Sequence, residues 1–183
     1  MASNKVNLGI GNATGMFYTA PAGTALPTSA ADSLTSWTEV GAITEDGITW
    51  STGKDSDPLR NWAKEIERLI ASDEGGTVTA PLMYTEQKTL ETIFGAGNVS
   101  VSAATSQHGK VVSVTVEPGV SGSKLAFLFV MKDGDDIIML GTSAGFVRDV
   151  ADISFSPTAA IVWEATIEAA SWTFLKDDGQ VTS

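Results

Sequence analysis

Alternation of apolar and polar residues with a period of two is the feature that most constrains the fold of this chain. It occurs in three segments, whose apolar positions are Val78, Ala80, Leu82 and Tyr84; Val112, Val114 and Val116; and Trp163, Ala165, Ile167 and Ala169. Successive side chains of a β-strand lie on opposite faces of a sheet, so this period gives one covered face and one wet face. The three segments are therefore predicted to be strands that share a core.

Turn-forming residues separate these segments from one another. They are Glu45-Asp46-Gly47, Glu74-Gly75-Gly76, His108-Gly109, Pro118-Gly119, Asp133-Gly134 and Asp178-Gly179. Short β-branched segments between frequent turns are typical of a mainly β protein, built as a sandwich or a barrel. We therefore expect a single mainly β domain over residues 1–183.

Residues 125–131 differ from the alternating segments because every position is apolar. A strand of this composition is covered on both faces, so we expect it at the centre of the sheet. The Asp133-Gly134 pair that follows supplies the positive φ angles of a tight turn. It predicts a hairpin between this strand and residues 137–140.

One short helix is predicted over residues 86–94. Thr85 is a candidate cap, and Glu86 suits the positive end of the helix. An apolar stripe with helical spacing follows at Leu90, Ile93 and Phe94, and Gly95 provides the stop. We expect this helix to close one side of the barrel.

Two polar segments are predicted to lack regular structure. Residues 21–36 are rich in Ala, Thr, Ser and Pro, which is typical of a long loop or arm. Residues near 175–183 are polar and are expected to form a C-terminal arm.

The charge balance argues against several classes of function. The chain has 22 acidic and 11 basic residues, giving a net charge of −11, and the basic residues are scattered. Proteins that bind nucleic acid neutralise phosphates with clustered lysine and arginine, so stable DNA binding is not expected. No apolar run approaches the roughly 18 residues that a spanning helix requires, so we expect no membrane insertion.

Patterns for catalysis and metal binding are weak. The sequence has no cysteine and one histidine, His108, which lies in a predicted turn. Thiolate catalysis and zinc–thiolate sites are excluded on that composition. Asp133, Asp135 and Asp136 crowd one turn, but they lack the loop length and closing glutamate of a calcium site. We predict no cofactor, no metal and no enzymatic activity.

A run of motifs over residues 37–95 adds a family resemblance. It begins with WTEVGAITEDGITWSTGKDSD, continues through Trp62 and an acidic turn, and ends with TVTAPLMYTEQKTLETIFG. The matching positions are Gly41, Ile43, Glu45, Asp46, Gly47, Ile48, Trp62, Leu90, Phe94 and Gly95. This order resembles the major tail proteins of long-tailed bacteriophages, in which a G-x-I-x-E-D-G-I hairpin precedes a tryptophan loop, two strands and a short helix.

The resemblance implies a structural virion protein. Copies would join their inner sheets edge to edge into hexameric rings, and stacked rings would form a tube through which double-stranded DNA passes without specific binding. Other implied partners are a tape-measure protein, a tail terminator and tail-tip proteins. The implied location is the virion tail, after synthesis in the host cytoplasm.

Candidate site residues follow from this reading. Glu164 and Glu168 lie on the wet face of a predicted strand, and they are candidates for lining the bore. The tryptophans Trp37, Trp50 and Trp62 are candidates for an inter-subunit loop. Two alternatives stay open: a monomeric β-sandwich that binds glycans through exposed tryptophans, like an adhesin, and a secretion-system tube subunit of similar fold.

Residues 57–71 are compatible with two local structures. A helix is favoured by Asp57 as a cap, Pro58 in the first turn, and apolar residues that share one helical face. The resemblance instead implies a loop near 53–64 around Trp62, followed by a strand near 65–72 that pairs with residues 77–84. We favour the strand.

Overall fold

A computed structural model describes residues 17–53, 56–71, 75–116 and 122–178 of the chain. This part contains twelve strands, one α-helix and a short 3₁₀ turn at Ala96–Asn98. The strands are β1 Phe17–Pro21, β2 Thr38–Gly41, β3 Thr49–Ser51, β4 Ser56–Arg60, β5 Ile66–Ala71, β6 Gly76–Leu82, β7 Val99–Ser102, β8 Val111–Val114, β9 Leu125–Asp133, β10 Asp136–Val150, β11 Trp163–Ala169 and β12 Thr173–Asp177; the helix is α1 Gln87–Phe94. The predicted mainly β class with one short helix is confirmed.

The largest sheet is antiparallel and curls until its two ends meet. Its order is β2-β1-β9-β10-β11-β6-β3, with β12 added along the first half of β10. Ile43, just beyond β2, forms a bridge with Leu82 at the end of β6. Two backbone bonds flank the bridge, from Thr44 N to Pro81 O and from Met83 N to Ala42 O, each 3.0 Å long. The sheet therefore closes into a barrel.

The connection between β2 and β3 differs from the hairpin that the resemblance implied. β2 pairs with β1 and β3 pairs with β6, so the two strands are consecutive parts of one bent segment. The turn itself is present, because Gly47 has a φ of +73° and its N–H donates to Thr44 O at 3.0 Å. The local sequence predicted the turn, whereas the partners of the strands are set by closure of the barrel.

The barrel interior holds the main core. It is formed by the alternating positions of β6 and β11, together with Phe17, Phe127, Phe129 and Leu140 from the neighbouring strands. Phe17 stacks on Phe129 with ring centroids 4.6 Å apart. The predicted inward faces of β6 and β11 are confirmed, except that Tyr84 lies beyond the end of β6 and is exposed.

Strand β9 is covered on both sides, as its uniformly apolar sequence predicts. Phe127 and Phe129 face the barrel interior, whereas Leu128 and Val130 belong to a second core on the outside. The segment 22–37, which contains no helix or strand, lies over this outer core and contributes Leu26, Leu34 and Trp37.

Hydrogen bonds hold the covering segment in place. Asp32 accepts bonds from the backbone and hydroxyl of Thr28 and from Ser29, which lower the pKa of its carboxyl below the usual range. The Ala30 N–H donates to Asp177 Oδ2 at 2.7 Å, which ties the segment to β12. The predicted long loop is thus packed against the barrel.

The predicted β9–β10 hairpin is present. Its turn is Gly134-Asp135 and not the predicted Asp133-Gly134 pair, because Asp133 pairs with Asp136 and only Gly134 has a positive φ, of +62°. A turn crowded with three acids predicts solvated carboxylates, and for Asp136 this is wrong. Its carboxylate is buried and forms an ion pair with Lys176, whose Nζ lies 3.2 Å from Oδ2.

Helix α1 packs near β2, β7, β8 and β10, and its last residue reaches Trp163 at the start of β11. Its Thr89 hydroxyl donates to Val40 O at 2.8 Å, and Phe94 meets Trp163 edge to face with centroids 5.8 Å apart. The predicted cap at Thr85 is wrong: Glu86 occupies the cap position without a side-chain cap bond, and Thr85 Oγ1 accepts the indole N–H of Trp163 at 3.0 Å. Gly95 ends the helix with a φ of +86°.

Residues 56–71 form a separate two-stranded hairpin of β4 and β5. The helical alternative for 57–71 is therefore wrong, and the strand near 65–72 is confirmed. Two details need correction: β5 pairs with β4 and not with residues 77–84, and the region near 53–64 contains β4 before the turn around Trp62. Pro58 is tolerated because a two-stranded hairpin leaves each strand with an unpaired edge.

The C-terminal segment differs from its predicted structure. Residues 175–177, predicted as the start of an arm, belong to β12. The rest of that arm, residues 179–183, and the predicted turn at 118–119 lie outside the described residues.

Substitution of Gly41 tests closure of the barrel. Gly41 has a φ of +147°, and an added Cβ would lie 2.8 Å from Cδ2 of Tyr84. We expect Gly41→Ala to lower the free energy of unfolding by about 2 kcal/mol or more, because strain and a close contact combine. Urea denaturation measures the change. Gly47→Ala is the control, since its φ is also positive but nothing lies within 4 Å; equal losses would contradict the close contact.

Candidate functional site

The outer face of β11 and β6 is acidic and rich in hydroxyl groups. Glu164, Thr166 and Glu168 alternate with buried residues along β11, and they lie opposite Pro81, Thr79 and Thr77 of β6. The hydroxyls of Thr79 and Thr166 approach to 3.4 Å across the two strands. The structure thus places both predicted acids on one face.

The two acids differ in their electrostatic surroundings. Arg148 Nη1 lies 3.3 Å from Glu168 Oε2, and both side chains are partly exposed. Exposed pairs of this kind contribute at most about 1 kcal/mol, but they offset the local charge. Among the described residues, Glu164 has no ion-pair partner. The unbalanced negative charge of this face is therefore centred on Glu164.

The three candidate tryptophans do not lie together. Trp37 is 8% exposed and belongs to the outer core, so its proposed place in an inter-subunit loop is incompatible with the structure. Trp50 stacks on Phe174 of β12, with centroids 6.5 Å apart and planes 3° from parallel. Trp62 lies in the turn between β4 and β5 and is fully exposed, at 103% of its reference area.

An aromatic side chain also contacts the start of β6, where the chain returns to the barrel. The chain leaves the barrel after β3 and returns at Gly76, whose carbonyl accepts the indole N–H of Trp172 at 2.8 Å. An added Cβ at Gly75 would lie 2.2 Å from Ala169 O, so the returning chain packs directly on β11. Trp172 and Phe174 were missed by sequence reasoning, because the short segment 172–177 shows no clear period.

An apolar groove of about 520 Å³ lies where β10 runs on beyond its pairing with β9. Its lining includes Ile93, Phe94, Val116, Phe146, Val150 and Ile153. We call this the helix-end groove. Sequence reasoning missed this groove, because the groove depends on the strand pairing that places Phe146 beside Glu168 on the outer face of the sheet.

Within the described residues, no three acids or histidines lie close enough to hold a metal ion. His108 is exposed in the loop between β7 and β8, where its Nδ1 lies 2.7 Å from Gly109 O. No helix in the described ranges is long and apolar enough to cross a membrane.

Exposed apolar surface is the most distinctive property of this barrel, and it is typical of a protein that associates with further protein chains. The family model described as phage tail tube protein matches residues 1–178, and the chain belongs to this family. It is a structural component of the virion tail that assembles with itself into a tube, and the family has a non-enzymatic role. No curated protein matches the sequence.

Tryptophan fluorescence tests the assigned exposures. Acrylamide quenches exposed indoles more efficiently than buried ones, so we expect Trp62→Phe to remove the most readily quenched part of the emission of the unassembled chain. Trp37→Phe is the control, because Trp37 is buried. Stern–Volmer plots measure both variants; a larger loss of quenching in the Trp37 variant would contradict these positions.

Proposed function

We propose that this chain forms hexameric rings that stack into a tail tube, and that the acidic face of β11 and β6 lines the bore. The observation that carries the proposal is the surface formed by Glu164, Thr166, Glu168 and Thr79, in which the nearby cation Arg148 is engaged by Glu168. Family membership supports the tube, and it favours this function over the glycan-binding and secretion-system alternatives.

The proposed role of the bore is electrostatic. Six copies carry 6 × −11 = −66 formal charges, part of which would surround the passing DNA. Duplex DNA carries about one negative charge per 1.7 Å, so an acidic bore repels it and offers no cations that would hold a phosphate. Hydroxyl groups hydrate the wall without adding positive charge. DNA would therefore move to the host cell without being held at each residue.

Lateral contacts in the proposed ring use strand edges. Within the described residues, β3 pairs only with β6, and β12 pairs only with β10, so each has one edge without a strand partner. Edge strands are a surface on which a second chain can add its own strand. Trp50 and Phe174, which stack between these two strands, would be covered by the same contact.

Axial contacts in the proposed tube use the β4–β5 hairpin. A fully exposed tryptophan at a turn is unusual for an isolated chain, and burial in a neighbour would remove this apolar area from water. A contact between two different surfaces of identical chains extends a filament when its rotation does not close a ring. The tape-measure protein, the tail terminator and the tail-tip proteins would limit and complete this polymer, after synthesis of the chain in the host cytoplasm.

Negative-stain electron microscopy of the concentrated protein tests the proposed tube. We expect rings or hollow tubes whose bore admits duplex DNA. Because acidic monomers repel one another, raising the salt concentration should promote assembly, as measured by light scattering. A strict monomer at all protein and salt concentrations, including after addition of preformed tail tips, would contradict the proposal.

Charge reversal tests the assignment of the bore. We expect Glu164→Lys with Glu168→Lys to leave tubes intact but to slow genome delivery, because lysines attract phosphates. Infection kinetics are compared at matched particle counts. The control variant, Glu45→Lys with Asp135→Lys, makes the same change in net charge at exposed turn positions. Equal kinetics for wild type and the bore variant would count against this face.

A further inference from the structure

We infer that the helix-end groove is the receptor for Trp62 of a second copy of this chain, an inference that rests on the proposed tube and names the partner of its axial hairpin. The groove and the indole are both left uncovered within one described chain. Trp62 is fully exposed, so it does not occupy the groove of its own molecule.

The groove has the chemistry that an indole requires. Its lining is mostly apolar, with aromatic and branched side chains from α1, β10 and Val116. Asn98, Arg148 and Asp149 add polar groups to this lining, and the Asn98 Nδ2–H donates to Phe94 O at 2.7 Å. An apolar surface with a few polar groups is typical of a specific pocket, and an indole offers an apolar body with one N–H donor.

Trp62 is the tryptophan available to fill it. Trp163 and Trp172 donate their indole N–H groups to Thr85 and Gly76 within the chain. Trp37 is buried, and Trp50 stacks on Phe174. Trp62 has neither a ring partner nor a hydrogen bond among the described contacts, and it lies in the turn of the β4–β5 hairpin.

The charges beside the two surfaces are complementary. The rim of the groove carries Arg148 and Asp149, and the turn of the hairpin carries Lys64 and Glu65. One orientation of the turn would pair Lys64 with Asp149, while Arg148 stays engaged with Glu168 of its own chain. Such rim pairs add orientation more than affinity, and the buried indole supplies most of the binding.

Site-specific crosslinking tests the contact directly, since the chain has no native cysteine. Ala63→Cys keeps Trp62, and Val116→Cys marks the groove at a side chain that is 66% exposed. A short bismaleimide added to assembled tubes should produce a ladder of covalent multimers on a denaturing gel. The control pairs Ala63→Cys with Val111→Cys, roughly 16 Å away along the same hairpin, and should give little ladder.

A second variant tests the energetic role of the groove. We expect Val116→Asp to raise the half-assembly concentration at least tenfold, while Val111→Asp, which alters an exposed valine outside the groove, leaves it within about twofold. Circular dichroism of both monomers checks their fold. Tubes that form normally in Val116→Asp, or that crosslink equally at both positions, would overturn the groove but leave the tube intact. Failure of the wild-type chain to form tubes would overturn the proposed function together with this inference.

Discussion

The rest of the structure depends on the closure of the sheet by the segment that contains β2 and β3. This segment pairs with β1 at its start and with β6 at its end, so one bent stretch of chain joins the two edges of the barrel. Only glycine accommodates the bend, because Gly41 combines a positive φ with close packing on Tyr84. The closing segment covers the open edges of β1 and β6. The closed barrel encloses the aromatic core of Phe17, Phe127 and Phe129.

Closure also determines which surfaces remain for contact with other chains. The alternating apolar residues lie in the barrel interior, and the segment 22–37 covers the outside of β9. Several large apolar groups remain exposed outside both cores. Phe146 lies where β10 runs on past β9, Phe174 lies on an edge strand, and Trp62 lies at a turn outside the barrel. These are the positions at which a tube subunit can associate without exposing its core.

Sequence periodicity predicted the strands with strong alternation, such as β6 and β11, because burial of one face is a local property of the pattern. The two-sided burial of β9 and the end of α1 at Gly95 were also predictable, because a uniformly apolar run and a glycine stop are local signals too. Long-range pairing was not: β4 and β5 pair with each other, and Thr85 accepts a bond from Trp163 instead of capping the helix. Asp136 and Trp37 are buried by elements distant in sequence, Lys176 of β12 in the first case and the outer face of β9 and β10 in the second, which no local pattern could specify.

A subunit of a tube must remain soluble as a monomer and yet associate firmly when a growing end is present. A net charge of −11 provides the first property, because acidic chains repel one another at a distance set by the ionic strength. Exposed aromatic residues provide the second, because their contribution acts only at contact. A ring of the proposed kind would present several such contacts at once, so each could be weak while the sum is strong. The proposed balance between long-range repulsion and short-range apolar contact would then let assembly begin only where several contacts form together.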